Sequence, residues 1–285
     1  MFLTMFLLAA LYLLFVVVLW RAGAGFVSIA FFVGVMLVAQ YYLSDKLVLW
    51  SMGAKLVTQQ QQPELHALIE RLASLADLPK PRLAVVDTDL PNAFATGRNP
   101  DKAVVAVTRG LLDRLEPEEL EAVLAHEITH VRNRDMTVLT LASFFATVAS
   151  FIVQQFFFWG GGLGGGRDRE QRNSALVVYL VSILVWVVSY FLIRALSRYR
   201  EFAADRGAAI LTGAPGNLAS ALVKISSSLK RIPTKDLRQA EAFNAFFIVP
   251  ALKGQSIMEL FSTHPSLERR LAFLRDLERE MEGGR

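Results

Sequence analysis

Four uncharged apolar runs, at residues 2–20, 22–43, 136–159 and 174–193, constrain this chain more than any other feature. Each reaches the roughly 20 residues that a helix needs to cross the hydrocarbon core of a bilayer. Trp20, Tyr41, Tyr42, Trp50 and Trp159 stand near their ends, where aromatic belts belong. One such run could be a buried core helix, but four of them in 285 residues at 53% hydrophobic content exceed what one soluble core can absorb. The mean hydropathy of +0.39 agrees. The expected fold is therefore mostly α and membrane-embedded, with four transmembrane helices. Ala22-Gly23-Ala24 resembles a signal cleavage site. There is no basic n-region ahead of the apolar run, however, the run is long, and a second one follows at once, which favours a retained two-span hairpin.

The runs divide the chain into a hairpin at 1–43, a polar block at 44–135, a second hairpin at 136–193 and a polar block at 194–285. In the first block, Pro63 opens a helical pattern through Leu65, Leu68, Ile69, Leu72 and Leu75, closed by Pro79 and Pro81. Residues 82–88 and 103–108 read as short strands, with a turn at 97–101. Between them, Asn92, Ala93, Phe94, Ala95, Thr96 and Gly97 form either the first arm of a hairpin or an edge strand able to pair with an extended peptide. The Gly-rich stretch 160–166 lacks the strand and helix around a phosphate loop and reads as a connection. The last block is helical by pattern, with an apolar stretch at 243–252 too short to span.

Residues 126–130 read His126-Glu127-Ile128-Thr129-His130, with two of the chain's four histidines at helical spacing. Positions four apart share one face of a helix, so both imidazoles can reach one metal ion. Glu127 beside them can then take a proton from the attacking water of a hydrolysis. Glu116-Pro117-Glu118-Glu119 is a good helix start, and Leu120, Val123, Leu124 and Ile128 form an apolar stripe beside the histidines. A pair of satisfied core histidines is the bland alternative, and the intervening glutamate argues against it.

Two histidines are one ligand short of a catalytic zinc site. The chain has no Cys, so the third ligand must be His or a carboxylate. His66 lies in an ordinary amphipathic helix. Glu201 and Asp205, four apart and just beyond the last apolar run, could place one carboxylate on the metal and the other on a ligand imidazole. With Arg198, Arg200 and Arg206 around them they could equally be a solvated acidic pair. His264-Pro265, by itself, reads as a cap before a helix through Leu267, Leu271 and Leu274.

The order of these features is similar to that of the HtpX family of membrane zinc proteases, relatives of the CAAX prenyl proteases. The resemblance rests on HExxH at 126–130 with Asn133 and Asp135 just downstream, Glu201-Phe202-Ala203-Ala204-Asp205 after two further spans, the segment 92–97, and His264-Pro265-Ser266. It implies a zincin-type α+β catalytic domain, with one zinc per chain held by His126, His130 and Glu201. Glu127 would be general base and acid, Asp205 would orient a histidine ligand, and His264 would sit near the developing oxyanion. Residues 92–96 would bind substrate. It also implies a role in quality control of misfolded or damaged membrane proteins.

Charge sets an orientation. Lys46, Lys55, Arg132, Arg134, Arg194, Arg198 and Arg200 fall on one side of the four runs, against Arg21, Arg167, Arg169 and Arg172 on the other. The positive-inside rule places the polar blocks and both termini in the cytoplasm, on a plasma or inner membrane. The net charge of +4 then belongs to lipid headgroups, since no nucleic-acid motif is present. Because His130 and Glu201 lie within eight residues of apolar runs, the metal would sit close to the membrane surface, in reach of unfolded or membrane-protein polypeptides. An intramembrane protease is a weaker alternative: Asn99-Pro100-Asp101 resembles such a motif but lies in a polar turn, and residues 116–135 are strongly charged. A metal-stabilised scaffold or chaperone would not need Glu127.

Overall fold

The structure, a computed structural model, describes residues 2–21, 26–158, 169–229, 248 and 264–283. The chain is mostly helical, with one small sheet. It divides into two compact units, one made of Met1–Tyr42 and Val138–Leu196, the other of Leu43–Thr137 and Ser197–Arg285.

The first unit holds α1 (Phe2–Arg21), most of α2 (Phe26–Ser51), and the apolar lengths of α6 (Asp135–Phe158) and α7 (Arg169–Thr212). Leu8, Tyr12, Phe15 and Leu19 recur along one face of α1 and pack with Ala142, Val148, Ala149 and Val185. The Tyr12 hydroxyl donates to the Ala142 carbonyl at 2.5 Å, and its ring stacks on Phe145. Gln40 donates to Ser143 Oγ at 3.2 Å. Other faces present Leu3, Phe6, Leu13 and Phe31 outward, as helices solvated by lipid do. Among the described residues, three helices are long and apolar enough to cross a membrane: Leu3–Arg21, Asp135–Gln154 and Ala175–Thr212. The predicted run 22–43 falls in α2 from Phe26 onward, with residues 22–25 outside the described residues.

The second unit is built on a sheet of β1 (Ala54–Leu56), β2 (Arg82–Val86), β3 (Ala93–Thr96) and β4 (Val104–Thr108) in the order β1-β2-β4-β3. β2 and β4 pair in parallel, Arg82 opposite Val104, and β3 and β4 pair antiparallel, Ala93 opposite Val107. An interior strand covered on both faces has no polar side, and all five residues of β4 are buried. One face packs Leu83, Val105 and Val107 against α3 (Pro63–Leu75), α5 (Pro117–Arg132), α8 (Pro215–Leu229) and α9 (Leu267–Gly283). The other gathers Ala84, Phe94, Val104 and Ala106 with Val48, Leu49 and Met52 at the end of α2. α4 (Arg109–Leu112) is a single turn after β4, capped by the Thr108 hydroxyl.

β3 is one arm of a hairpin with β4, as one of the two sequence readings of 92–97 expects, and it stands at one end of the sheet. Strand β1 has no counterpart in the sequence reading, because three residues are too few to show a period. α7 runs unbroken for 44 residues, so the fourth apolar run and the segment carrying Glu201 and Asp205 are one helix.

Candidate metal centre

α5 begins at Pro117, a residue suited to a first turn where backbone N–H groups have no helical partner, and Glu119 reaches back to accept from the Glu116 N–H at 3.0 Å. Its second half is buried almost all round, including His126, Glu127 and Thr129. α7 crosses it where Gly207 lies against Thr129. A Cβ added at Gly207 would stand 2.2 Å from Thr129 Cγ2, so only glycine permits this approach. Glu201 and Asp205, six and two residues before Gly207 on the same helix, are thereby brought over the two histidines.

His126, His130 and Glu201 converge, each offering a ligand atom within 4.8 Å of the others. The two Nε2 atoms are 3.1 Å apart. Glu201 Oε1 lies 3.5 Å from His130 Nε2, and its Oε2 lies 3.7 Å from His126 Nε2. On their far sides both rings meet carboxylates, His126 Nδ1 at 3.0 Å from Asp205 Oδ1 and His130 Nδ1 at 2.6 Å from Asp135 Oδ2. A carboxylate only accepts, which assigns the proton of each ring to Nδ1 and leaves both Nε2 lone pairs facing inward. Three electron-pair donors thus point at one small space, an arrangement that a cation resolves. The nitrogen spacing is close to the ~3.3 Å expected for two ligands of a tetrahedral zinc with Zn–N of about 2.0–2.1 Å. The donor set therefore fits a metal ion. Burial pulls His126 down to about 4, so it is neutral, as a ligand must be. Burial also acts to lower His130, but the Glu201 and Glu127 carboxylates outweigh it and raise its pKa, so that a proton there answers the same negative field.

Glu127 is buried beside the histidines. Burial, with the Glu201 charge, pushes its carboxyl up to about 7, and the Ala95 N–H on β3 donates to it. That is the range in which a carboxylate exchanges protons near neutrality. His264 Nδ1 lies 3.0 Å from Glu201 Oε2. Ala93, Phe94, Ala95 and Thr96 form β3 beside α5. Asn92 precedes it and accepts from the Ile248 N–H through its side-chain oxygen at 3.0 Å. His66 is elsewhere, on α3, its Nε2 3.0 Å from the Val57 carbonyl.

Sequence reasoning passed over Arg270. Its side chain is 2% exposed, lies on α9, and forks onto Asp205 with Nε to Oδ2 at 2.9 Å and Nη2 to Oδ1 at 2.5 Å. Its Nη1 donates to the Ile248 carbonyl at 2.6 Å and stands 3.4 Å from Glu201 Oε2. One guanidinium thus compensates two buried carboxylates. The available signal was an arginine on the buried face of α9, in line with Leu274 and Leu277. Asp135 and Arg200 were also passed over as site residues.

The profile of Peptidase family M48 matches residues 59–278. Over 282 residues the chain is 75% identical to a protein described as "Protease HtpX homolog" from Moorella thermoacetica, covering 99% of this chain and 94% of that one. It is 58% identical over 281 residues to "Protease HtpX homolog 2" of Methanosarcina mazei, covering 99% and 95%. Among solved structures it resembles the crystal structure of S. mikatae Ste24p, with a TM-score of 0.58 at 19% identity, over 93% of this chain and 62% of that one. At that identity the likeness is one of fold, and this chain spans about three-fifths of the Ste24p chain.

Proposed function

Since this chain belongs to peptidase family M48 and is a membrane metalloprotease, we propose that it is a zinc endopeptidase cutting misfolded or damaged membrane proteins at the cytoplasmic membrane surface. The observation that carries the metal chemistry is the convergence of His126 Nε2, His130 Nε2 and Glu201 with both Nδ1 atoms turned to carboxylates. We assign the ligands to those three residues. Zinc in that place would supply Lewis acidity, acidifying water and polarising the scissile carbonyl.

The protein's own groups do the rest. Glu127 takes the proton of the attacking water and returns it to the leaving amine. Its hydrogen bond to the Ala95 N–H holds it beside β3, where an extended peptide added to the strand edge would present its backbone. Recognition through backbone hydrogen bonds reads little side-chain information, which suits varied unfolded substrates. Asp205 holds His126 in its ligand tautomer. His264, at Glu201, is the donor assigned to the developing oxyanion.

Four spans, two in each hairpin, are supported by the apolar runs 2–20, 22–43, 136–159 and 174–193, and the cytoplasmic side by the excess of Lys and Arg flanking the polar segments. We take 1–43 and 136–193 as membrane hairpins and 44–135 with 194–285 as the catalytic domain, facing the cytoplasm from the plasma or inner membrane.

The test is cleavage of casein by the detergent-purified chain with zinc, with chelator, and as Glu127→Gln. Activity that needs metal and vanishes in the variant, at one bound zinc per chain, supports the reading. Equal activity in the variant, or activity unaffected by full metal removal, overturns it.

A further inference from the structure

We infer that the metal is positioned by two His–Asp–Arg relays, and that the second, His130–Asp135–Arg200, makes Asp135 a positioning residue for His130. The inference rests on the assignment of His126, His130 and Glu201 as ligands. The first relay, His126–Asp205–Arg270, contains the Asp205 role already assigned. Nothing in the HExxH pattern calls for the second.

The second relay is built as fully as the first. Asp135 Oδ2 stands 2.6 Å from His130 Nδ1, closer than Asp205 stands to His126. The carboxylate is 2% exposed, and its other oxygen is paired with the Arg200 guanidinium. Arg200 is itself buried and donates through Nη2 to the Asn133 carbonyl at 2.8 Å. Asp135 therefore has a counter-ion, as a buried carboxylate must, and its free orientation is removed.

The local backbone serves the same geometry. α5 ends at Arg132, and only Asn133 and Arg134 separate it from α6. Arg134 adopts φ 54, a left-handed conformation that a non-glycine residue takes only at a cost. That turn folds Asp135, the first residue of α6, back beside His130, five residues upstream on α5. Arg200 holds both the turn and the carboxylate, and it immediately precedes Glu201. One arginine thus fixes the orientation of one ligand from the position next to another.

The consequence is a division of labour between two arms. His126, 1% exposed, is locked by Asp205 and Arg270. His130, 15% exposed at its side chain, lies nearer solvent and depends on Asp135 to keep its ring aimed, with Nδ1 turned to the carboxylate and Nε2 to the ligand space. Outer partners of this kind are worth about 10–100-fold in metal affinity.

The experiment measures zinc affinity of the full-length detergent-solubilised protein by competition with a chromophoric chelator. It compares wild type, Asp135→Asn, Asp135→Ala and, as a control, His130→Ala, and records the visible spectrum of each with cobalt(II). Asp135→Asn is isosteric and keeps an acceptor, so it guards against a folding failure of the alanine variant. The expected result is affinity about 10–100-fold weaker in Asp135→Ala, a smaller loss in Asp135→Asn, and an altered cobalt spectrum in both. A lower unfolding temperature of the metal-free variants with wild-type zinc affinity and cobalt spectrum would make Asp135 a folding residue only and overturn the proposal. Undiminished affinity in His130→Ala would instead overturn the ligand assignment beneath it, and the proposal with it.

Discussion

The Glu127 carboxylate accepts a hydrogen bond from the Ala95 N–H, so the proton-handling group and the outermost strand of the sheet are directly joined. α5 and β3 are distant enough in sequence that neither predicts the other's position. Their contact puts the acid–base residue where a peptide laid along β3 would pass.

Replacing Glu127 by Gln keeps the shape and removes the base. Proteolysis should fall by about 10²–10⁴-fold, while bound zinc stays at the wild-type level. Peptide release from casein together with metal analysis of the same sample checks both halves.

Gly207→Ala should damage the site from a position that touches no ligand. The new methyl would meet Thr129 at 2.2 Å and push α7 off α5, separating Glu201 from His126 and His130. Overpacking of this kind costs about 1–3 kcal/mol. Zinc affinity and activity should drop together. Thr129→Ala added to it should restore part of both, since Cγ2 and Oγ1 are removed while Cβ, at 3.0 Å, remains. A chelator titration of the single and double variants decides the matter.

Arg270→Ala should be the more destructive change, because it strands Asp205 as a buried charge beside Glu201. Breaking one partner out of such a pair costs about 3–5 kcal/mol. Arg270→Lys retains the charge but cannot fork onto both Asp205 oxygens, and should fall between wild type and alanine. Thermal unfolding of the metal-free proteins should rank them in that order.

The Glu119 carboxylate ties α5 to α8, accepting from Ser220 at 2.6 Å and from Lys224 at 2.8 Å. Burial opposes its charge, but Lys224, Ser220 and the Glu116 N–H outweigh that and hold its pKa below the ordinary 4.5. A depressed carboxyl contributes stability that is complete above the unfolded value and is lost as pH falls through the folded one. The difference in melting temperature between wild type and Glu119→Gln should therefore be present at pH 7 and shrink below about pH 4.5. A difference that stays constant down to pH 3 would remove the ion pair from the explanation.

What the sequence discloses and what it hides divides along a physical line. The pairing of His126 with His130 is a property of a single helix, and spacing alone reveals it. β4 and the start of α5 are visible for the same reason, as runs of local pattern. Glu201 is set over the histidines only by the α5–α7 crossing, some seventy residues and two apolar runs away, so the residues alone left it as one of two readings. The resemblance to a known family pointed to it. Arg270 was hidden because its partners come from α7 and from Ile248, although an arginine on an apolar stripe was a visible anomaly. Asp135 gave no anomaly at all, since an acidic residue at the first position of a helix is ordinary.

Arg270 also has an effect in time. A ribosome delivers His126, His130 and Glu201 well before it delivers the arginine that lets Asp205 and Glu201 be enclosed together. Until then those carboxylates favour water over burial, and the three ligands have no stable cage to share. Closure of the site therefore waits on a residue some seventy positions beyond Glu201.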